Sequence, residues 1–233
     1  MGEAGMSDWR LFADRPALET ALATEVATRL TQGIAQRGKG YLVVSGGSTP
    51  LQLFSLLSQA EIDWGKVVVL LADERWVGAQ HDDSNERMVR TTLLTNRAAA
   101  ADFISLVGEL DSADGNVSQI SQALQDMPRF DVVILGMGED AHTASLFPCS
   151  EEIAEGLKTD QGALITRPTT APHQRISLSR QRLQNTEYGV VHIVGDTKRS
   201  VAVQAARCGD ELVYPISAFI RDDTGAVGFN VWW

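Results

Sequence analysis

Short apolar runs rich in valine, isoleucine and leucine alternate with longer helical segments along the 233 residues of the chain. The run Val67–Leu71 is typical, because five consecutive aliphatic residues suit a strand buried on both faces of a parallel sheet. Strands that alternate with helices predict an α/β fold, with a doubly wound, mostly parallel sheet and helices on both of its faces. The predicted strands are Tyr41–Val44, Val67–Leu71, Phe103–Val107, Asp131–Leu135, Arg175–Leu178 and Tyr188–Val194.

The helical segments lie between these strands. Asp14 and Pro16 are start signals for a first helix, whose apolar residues recur at helical spacing as far as Ile34. No repeat or linker interrupts the alternation, so residues 1–233 are expected to form a single domain. Further helices are predicted over Pro50–Ser58, Val117–Leu124 and Ala141–Leu146 and after Thr197, and residues 151–175 are predicted as loop with one short strand, Ala163–Thr166.

Charge and composition limit the partners of the chain. It has 20 basic and 30 acidic residues, for a formal net charge of −10. Nucleic acids and anionic membranes both require clustered positive charge, so neither is an expected partner. The first ten residues, MGEAGMSDWR, lack the basic and apolar regions of a signal peptide, and the two cysteines, Cys149 and Cys208, form no disulfide framework. We therefore expect a cytoplasmic enzyme or binding protein.

The loop Ser45-Gly46-Gly47-Ser48-Thr49 follows the first predicted strand and precedes a helix. Its glycines permit close backbone approach, its hydroxyls donate hydrogen bonds, and the helix N-terminus supplies partial positive charge, which together suit a phosphate group. The Gly-Lys-Ser/Thr of a Walker A loop is absent. A tight strand-to-helix turn capped by a hydroxyl explains the same residues, so both interpretations stay open.

Charged residues follow the second predicted strand, where Asp73, Glu74 and Arg75 come in succession and Ser84-Asn85 begins the next helix. Ligands of doubly wound folds bind at the carboxyl ends of strands, which makes Asp73 and Arg75 candidate site residues. A solvated loop is the alternative explanation.

A glycine-rich turn follows the strand Asp131–Leu135. Gly136, Gly138 and Ala141 match the dinucleotide fingerprint G-x-G-x-x-G/A, but the adjacent Glu139 and Asp140 would repel a pyrophosphate. We therefore expect no nicotinamide or flavin cofactor.

The alternative is that this turn presents a catalytic histidine, His142, with Asp140 nearby. A helix that begins here would disfavour the imidazolium and keep His142 neutral, ready to accept a proton. A structural hydrogen bond is the other possible role of this histidine.

Basic residues at or after later strands complete the candidates. Lys198 follows Gly195-Asp196-Thr197 at the start of the last predicted helix, while Arg167, Arg175, Arg180 and Arg182 flank the predicted strand Arg175–Leu178. Two kinds of site are not expected: a serine hydrolase site, because the chain has no Gly-x-Ser-x-Gly, and a metal site, because the histidines at 81, 142, 173 and 192 show no H-x-x-x-H spacing.

Taken together, these motifs resemble the 6-phosphogluconolactonase family, within the wider group of glucosamine-6-phosphate-isomerase-like enzymes. The resemblance extends over nearly the whole chain. Two departures are visible: Ala141 stands before the histidine where the family usually has Gly, and Gly78 stands where the family commonly has Pro. The matching stretches are SGGSTP at 45–50, LADERWV at 71–77, Ser84-Asn85, DVVILGMGEDAHTASLFP at 131–148, RISLS at 175–179 and GDTK at 195–198, together with the tryptophans at the C-terminus.

The resemblance implies hydrolysis of 6-phosphogluconolactone to 6-phosphogluconate in the oxidative pentose phosphate pathway, without metal or cofactor. His142 is the implied general base, Arg75 or main-chain N–H groups of the turn stabilise the developing oxyanion, and Asp140 or Asp73 orients the imidazole or binds sugar hydroxyls. The phosphate is expected to bind Lys198 and the loop residues Ser45, Gly46, Gly47 and Ser48, with Arg175 and Arg167 as further candidates.

Two alternatives remain from the sequence. One is an amino-sugar-phosphate isomerase/deaminase, in which a different residue would be expected at the position of Arg75. The other is a sugar-phosphate-binding protein without catalysis, which would need an output domain for which no residues remain. The expected partner is a small phosphorylated sugar lactone, and the expected assembly is a monomer or a small homo-oligomer.

Overall fold

The computed structural model describes residues 8–108, 112–220 and 228–233 of the chain. Within these residues seven strands form one parallel sheet and three strands form a small antiparallel sheet. The strands are β1 Trp9–Arg10, β2 Gly40–Val44, β3 Val67–Leu71, β4 Asp73–Arg75, β5 Asp102–Ile104, β6 Val132–Leu135, β7 Ala163–Thr166, β8 Arg175–Leu178, β9 Gly189–His192 and β10 Asn230–Trp232.

The strand order of the large sheet is β1-β10-β9-β6-β2-β3-β5, with β2 near the middle. Val43 of β2 lies opposite Leu70 of β3 on one side and Val133 of β6 on the other. The chain runs from β2 outward through β3 to β5 and then crosses to β6 on the opposite side of β2. The order therefore reverses between β2 and β6, which is where an open α/β sheet forms a crevice.

The helices are where the cap signals and the apolar spacing place them. Asp14 accepts a hydrogen bond from the Ala17 N–H at 2.8 Å and starts α1, and Gly38, at φ +79°, donates to Ile34 O and ends it. The predicted α/β fold with a mostly parallel sheet is confirmed. The helices are α1 Arg15–Arg37, α2 Leu51–Gln59, α3 Asn85–Thr92, α4 Ala113–Gln125, α5 Ile153–Lys158, α6 Arg180–Gln184 and α7 Asp196–Cys208, with short 3₁₀ turns at Trp64–Lys66, Asn96–Ala100 and Pro215–Ala218.

The small sheet was not expected from the sequence. Its strand order is β4-β8-β7, and Arg75 of β4 lies opposite Arg175 of β8. The predicted bounds of β7 and β8 are confirmed, whereas residues 151–175, otherwise predicted as loop, also contain α5. Only Ala72 separates β3 from β4. The small sheet therefore fixes the position of Asp73–Arg75, the residues that follow the carboxyl end of β3.

The helix predicted over Ala141–Leu146 is wrong. Ala141 and Ala144 have φ of +65° and +49°, in the left-handed region that a right-handed helix cannot contain. The segment instead folds back on itself, because Gly138 N–H donates to His142 O at 2.9 Å and Thr143 Oγ1 donates to Gly136 O at 2.8 Å. Local hydroxyl-to-backbone bonds of this kind compete with the helical pattern.

Other predicted bounds shift at their ends. The strand predicted over Phe103–Val107 is the shorter β5, and the strand predicted over Tyr188–Val194 is the shorter β9. The sequence stretch MGEAGMS at the start of the chain lies outside the described residues. Among the helices that the structure does describe, none combines the length and apolar composition needed to cross a bilayer.

Candidate active site

A cleft opens at the carboxyl ends of β2, β3, β6 and β9, at the crevice predicted by the reversal of strand order. It brings together most of the site residues predicted from the sequence, which come from four separate segments of the chain. Those that line the cleft are Ser45, Gly46, Gly47, Ser48, Asp73, Arg75, His142 and Lys198.

His142 is held by Asp140, two residues before it. Asp140 Oδ1 lies 2.5 Å from His142 Nδ1 and also accepts a hydrogen bond from the His142 N–H at 3.2 Å. Partial burial opposes the charge of Asp140, yet the hydrogen bond and the charge of His142 keep the pKa of Asp140 below its ordinary value. Of the two candidate carboxylates, Asp140 contacts the imidazole, whereas Asp73 accepts a hydrogen bond from Ser145.

No helix begins at His142, so the helix terminus expected from the sequence is absent beside it. The ring stacks instead on Phe147, with centroids 4.0 Å apart and planes inclined by 22°. A Cβ at Gly138 would lie 2.2 Å from His142 Nδ1, so only glycine allows the turn to pass this close to the ring. The absence of a helix at Ala141 also removes the anion-binding terminus that a dinucleotide site needs.

Asp73 is buried in the cleft wall, where it contacts Ser145 and Arg175. Its Oδ2 accepts a hydrogen bond from Ser145 Oγ at 2.5 Å and lies 3.9 Å from Nη1 of Arg175. Arg175 itself does not line the cleft, because its guanidinium donates to the carbonyl oxygen of Pro172. Burial lowers the pKa of Arg175, although Asp73 opposes that effect. The structure therefore places Arg175 behind the site, as a support for Asp73.

Arg75 reaches the cleft from the last position of β4. Its Nη1 donates to the carbonyl oxygen of Asp83 at 2.5 Å, while its buried Nε has no hydrogen-bond partner among the described residues. A buried guanidinium N–H without a partner is uncommon. Arg75 accordingly keeps a donor that no described residue uses.

Glu74 fixes the backbone next to Arg75. Its carboxylate accepts hydrogen bonds from the N–H groups of Arg75, Asn85 and Glu86 and from Ser84 Oγ, at distances of 2.6–3.0 Å. Burial nevertheless raises the pKa of Glu74, against the lowering effect of these four bonds. Glu74 thereby joins β4 to the N-terminus of α3.

The opposite end of the cleft is suited to an anion. The loop Ser45–Ser48 runs from β2 towards α2, and Gly47 has φ of +94°, which favours glycine. Lys198 lies in the first turn of α7 and forms no ion pair within the described residues. Arg167 does not reach the cleft, because its Nη1 pairs with Glu152 at 2.9 Å.

Thr49 of the predicted phosphate loop also lines the cleft, together with two polar residues that were not predicted as site residues, Asn85 and His192. Asn85 Nδ2 donates to Asp73 O at 3.0 Å, and its side chain occupies the space where a Cβ of Gly46 would lie. His192 is the last residue of β9, so the rule that ligands bind at the carboxyl ends of strands could have identified it.

His192 is almost completely buried, and its Nε2 has no partner among the described residues. Burial, followed by the positive charges of Arg15 and Lys198, lowers the pKa of His192 to about 4. His192 therefore presents a neutral ring to the cleft at neutral pH.

Known proteins share both this sequence and this fold. The family model for "Glucosamine-6-phosphate isomerases/6-phosphogluconolactonase" matches residues 13–228. A 6-phosphogluconolactonase from Pseudomonas putida is 39% identical over 214 residues, which are 91% of this chain and 88% of that protein. One from Mesorhizobium japonicum is 42% identical over 196 residues, or 83% of this chain and 82% of that protein.

A solved structure agrees over almost its full length. The crystal structure of a 6-phosphogluconolactonase from Shewanella baltica OS155 superposes with a TM-score of 0.93 at 45% sequence identity and covers 98% of this chain and 99% of that one. The similarity thus includes the strand ends that form the cleft. On both sequence and fold, this chain belongs to the family of glucosamine-6-phosphate isomerases and 6-phosphogluconolactonases.

Proposed function

We propose that the chain hydrolyses 6-phospho-D-glucono-1,5-lactone to 6-phospho-D-gluconate, the second step of the oxidative pentose phosphate pathway. The observation that carries the proposal is His142, oriented by Asp140, in a cleft that also holds the Ser45–Ser48 loop and Lys198. A histidine base and an anion-binding end are what a phosphorylated lactone requires. The similarity to proteins named 6-phosphogluconolactonase supports the same substrate.

In the proposed reaction, His142 is the general base. With its Nδ1 proton donated to Asp140, its Nε2 accepts a proton from water as the water oxygen attacks the lactone carbonyl carbon. The tetrahedral intermediate then expels the ring oxygen, which takes that proton from Nε2 and becomes the C5 hydroxyl group. Asp140 stabilises the imidazolium between the two steps.

Arg75 is the better candidate for the oxyanion. In the glycine-rich turn, the N–H groups of Gly138, Ala141 and His142 are already donated to His142 O, Gly138 O and Asp140 Oδ1. Arg75 retains donors beyond the one that it gives to Asp83. A cation placed where negative charge develops lowers the barrier most when the site excludes water.

Substrate orientation follows from the two ends of the cleft. The phosphate binds the Ser45–Ser48 amides and hydroxyls together with Lys198, while Asp73 in the opposite wall accepts a hydrogen bond from a sugar hydroxyl. Arg167 and Arg175 are not part of the proposed phosphate site, because Arg167 pairs with Glu152 and Arg175 donates to the carbonyl oxygen of Pro172.

We further infer a single domain over residues 1–233, a cytoplasmic location and a monomer or small homo-oligomer, with neither nucleic acid nor membrane as partner. The net charge of −10 supports the absence of polyanionic partners. The free thiols of Cys149 and Cys208 are compatible with a reducing compartment.

An assay of the purified chain with two substrates tests the proposal. The rate of 6-phosphogluconolactone hydrolysis should exceed the spontaneous rate, and this excess should fall by about 10²–10⁴ in His142→Asn, whereas glucosamine 6-phosphate should release no ammonia. Deamination of glucosamine 6-phosphate without lactone hydrolysis would instead assign the chain to the isomerase/deaminase branch of the family. Binding of the sugar phosphate with neither reaction would indicate a binding protein.

A further inference from the structure

Two histidines and a carboxylate meet at the surface beside the small sheet. His81 and Asp83 lie on the segment that connects β4 to α3, and His173 lies just before β8. Because β4 and β8 are antiparallel neighbours, the two connecting segments leave the sheet side by side. No local ligand spacing marks this cluster in the sequence, because His173 is 90 residues from Asp83 along the chain.

The ligand atoms of these three residues are already close together. His173 Nε2 lies 2.9 Å from Asp83 Oδ2, and His81 Nδ1 lies 3.9 Å from the same oxygen. One ligand atom from each residue fits within a span of 4.8 Å. Atoms bound at about 2.0–2.1 Å to a tetrahedral ion are about 3.3 Å apart, a separation that lies between the two measured distances.

We propose that His81, Asp83 and His173 form a binding site for a late first-row divalent cation such as Zn²⁺. Two imidazole nitrogens and one carboxylate suit Zn²⁺, Ni²⁺ or Cu²⁺, whereas Mg²⁺ and Ca²⁺ prefer sites made of oxygen ligands. The side chains of His81, Asp83 and His173 are 48%, 55% and 28% exposed, so an ion can enter and a water molecule can complete its coordination.

Binding requires only local rearrangement. The cation takes the place of the hydrogen bond between His173 Nε2 and Asp83 Oδ2, and Nε2 binds it as an unprotonated ring nitrogen. The Asp83 N–H, which now donates to His81 Nδ1 at 3.1 Å, has to give up that acceptor. The positive charge of Arg75 near Asp83 opposes the cation, whereas the overall charge of −10 favours it.

None of the three proposed ligands takes part in the proposed catalysis, and the test measures binding rather than turnover. Chelator-treated full-length protein is titrated with ZnCl₂ by calorimetry in a buffer that does not bind zinc. The wild type should bind one equivalent with a Kd of about 10 µM or lower. Each of the variants His81→Gln, Asp83→Asn and His173→Gln should bind at least about ten-fold more weakly, with thermal unfolding used to check that each remains folded.

Two control variants sharpen the result. Asp82→Asn removes a neighbouring carboxylate that is 91% exposed and pairs with Arg87, and it should leave zinc binding unchanged. His142→Asn should also leave it unchanged, because the pair His142–Asp140 belongs to the cleft. Millimolar MgCl₂ should not compete. The proposal is overturned if the wild type binds no stoichiometric zinc, if His173→Gln binds as tightly as wild type, or if His142→Asn removes the binding.

Discussion

At the scale of single residues, the contact between Asp140 and His142 is the centre of the proposed chemistry. His142→Asn should lower kcat by about 10²–10⁴, the usual contribution of a general base, with little change in KM. Asp140→Asn should lower kcat less, because the amide oxygen can still accept from Nδ1 but provides no negative charge for the imidazolium. Steady-state rates, corrected for spontaneous lactone hydrolysis, measure both effects.

The exposed neighbour Glu139 supplies the control for these two variants. Glu139→Gln removes a charge one residue from Asp140 and should retain the wild-type kcat. An equal loss in Glu139→Gln and Asp140→Asn would show that the charge of the turn matters, rather than the contact with His142.

Replacement of Lys198 tests the phosphate end of the cleft. There the local positive charge attracts the phosphate, whereas the overall negative charge of the protein repels it. Lys198→Ala should raise KM for the phosphorylated lactone by roughly ten-fold or more, which corresponds to a lost charge-assisted hydrogen bond of about 1.5–3 kcal/mol. The slow hydrolysis of unphosphorylated gluconolactone should hardly change. The next residue, Arg199, stacks on Trp233 at 4.4 Å, so Arg199→Ala is the matched control that should leave both substrates unaffected. If Lys198→Ala weakened both reactions equally, Lys198 would have to act on the fold or the chemistry.

The sequence predicted the cleft residues better than it predicted the roles of the arginines. Residues such as His142 and Lys198 come soon after a strand ends, and strand ends can be recognised from apolar runs. Whether an arginine turns towards the cleft depends on its partners, and neither Glu152 beside Arg167 nor the Pro172 carbonyl beside Arg175 is a neighbour in sequence. Tertiary contacts of this kind have no local signal.

At the scale of elements, the turn from Ala141 to Leu146 shows tertiary contacts overriding local preference. Alanine and leucine favour a helix, and Pro148 is a reasonable helix end, which is why the sequence predicts one. In the structure, however, the Ile216 N–H donates to Ala141 O, and Ser145 binds Asp73. These two hydrogen bonds hold the chain in a turn with left-handed residues, and a helix over the same residues would break them.

The strain in this turn can be measured by replacing Ala141 with the glycine usual in the family. Ala141→Gly relieves about 1–2 kcal/mol at φ of +65°, but it loses about 0.8 kcal/mol of methyl burial and a comparable amount through the entropy of the unfolded chain. The free energy of unfolding should therefore stay nearly constant. Ala202→Gly, at an equally buried helical position, has no strain to relieve and should lose about 2 kcal/mol. Urea denaturation compares the two, and equal losses would contradict the strained turn.

Glu74 connects two elements, and its charge is the part that can be tested. Glu74→Gln keeps the shape but turns an NH₂ group towards donors of Arg75, Asn85 or Glu86, so it should destabilise the protein by about 2 kcal/mol. Glu61→Gln, at a carboxylate 84% exposed, should change stability by less than about 0.5 kcal/mol. Chemical denaturation at pH 7 measures both. A neutral effect of Glu74→Gln would mean that the carboxylate does not stabilise the connection between β4 and α3.

At the scale of the whole molecule, the sequence predicts five strands of the large sheet, β2, β3, β5, β6 and β9, but neither β1 and β10 nor the small sheet. Each central strand of the large sheet contains at least three consecutive aliphatic residues, and the reversal of strand order then fixes the place of the cleft. By contrast, β4 consists of Asp73-Glu74-Arg75, which has no strand propensity. It is extended because β8 supplies the ladder of hydrogen bonds, and that pairing joins residues about 100 positions apart.

The stability of the whole molecule should depend on pH through His192. In the unfolded chain a histidine has a pKa of about 6.5, whereas burial lowers the pKa of His192 to about 4 in the folded protein. Between these values the unfolded state binds more protons, so stability is lost as the pH falls from about 6.5 to 4. The full difference corresponds to about 3 kcal/mol. Carboxylates with lowered pKa, such as Asp140, contribute a further loss of stability at the acidic end of this range.

Comparison with His192→Gln isolates the effect of the histidine, because this variant has no group that titrates at position 192. Urea denaturation of both proteins from pH 7.5 to 4.5 should give a free-energy gap that shifts in favour of the variant as the pH falls. Parallel curves over this range would show that His192 binds a proton as readily in the folded protein as in the unfolded chain.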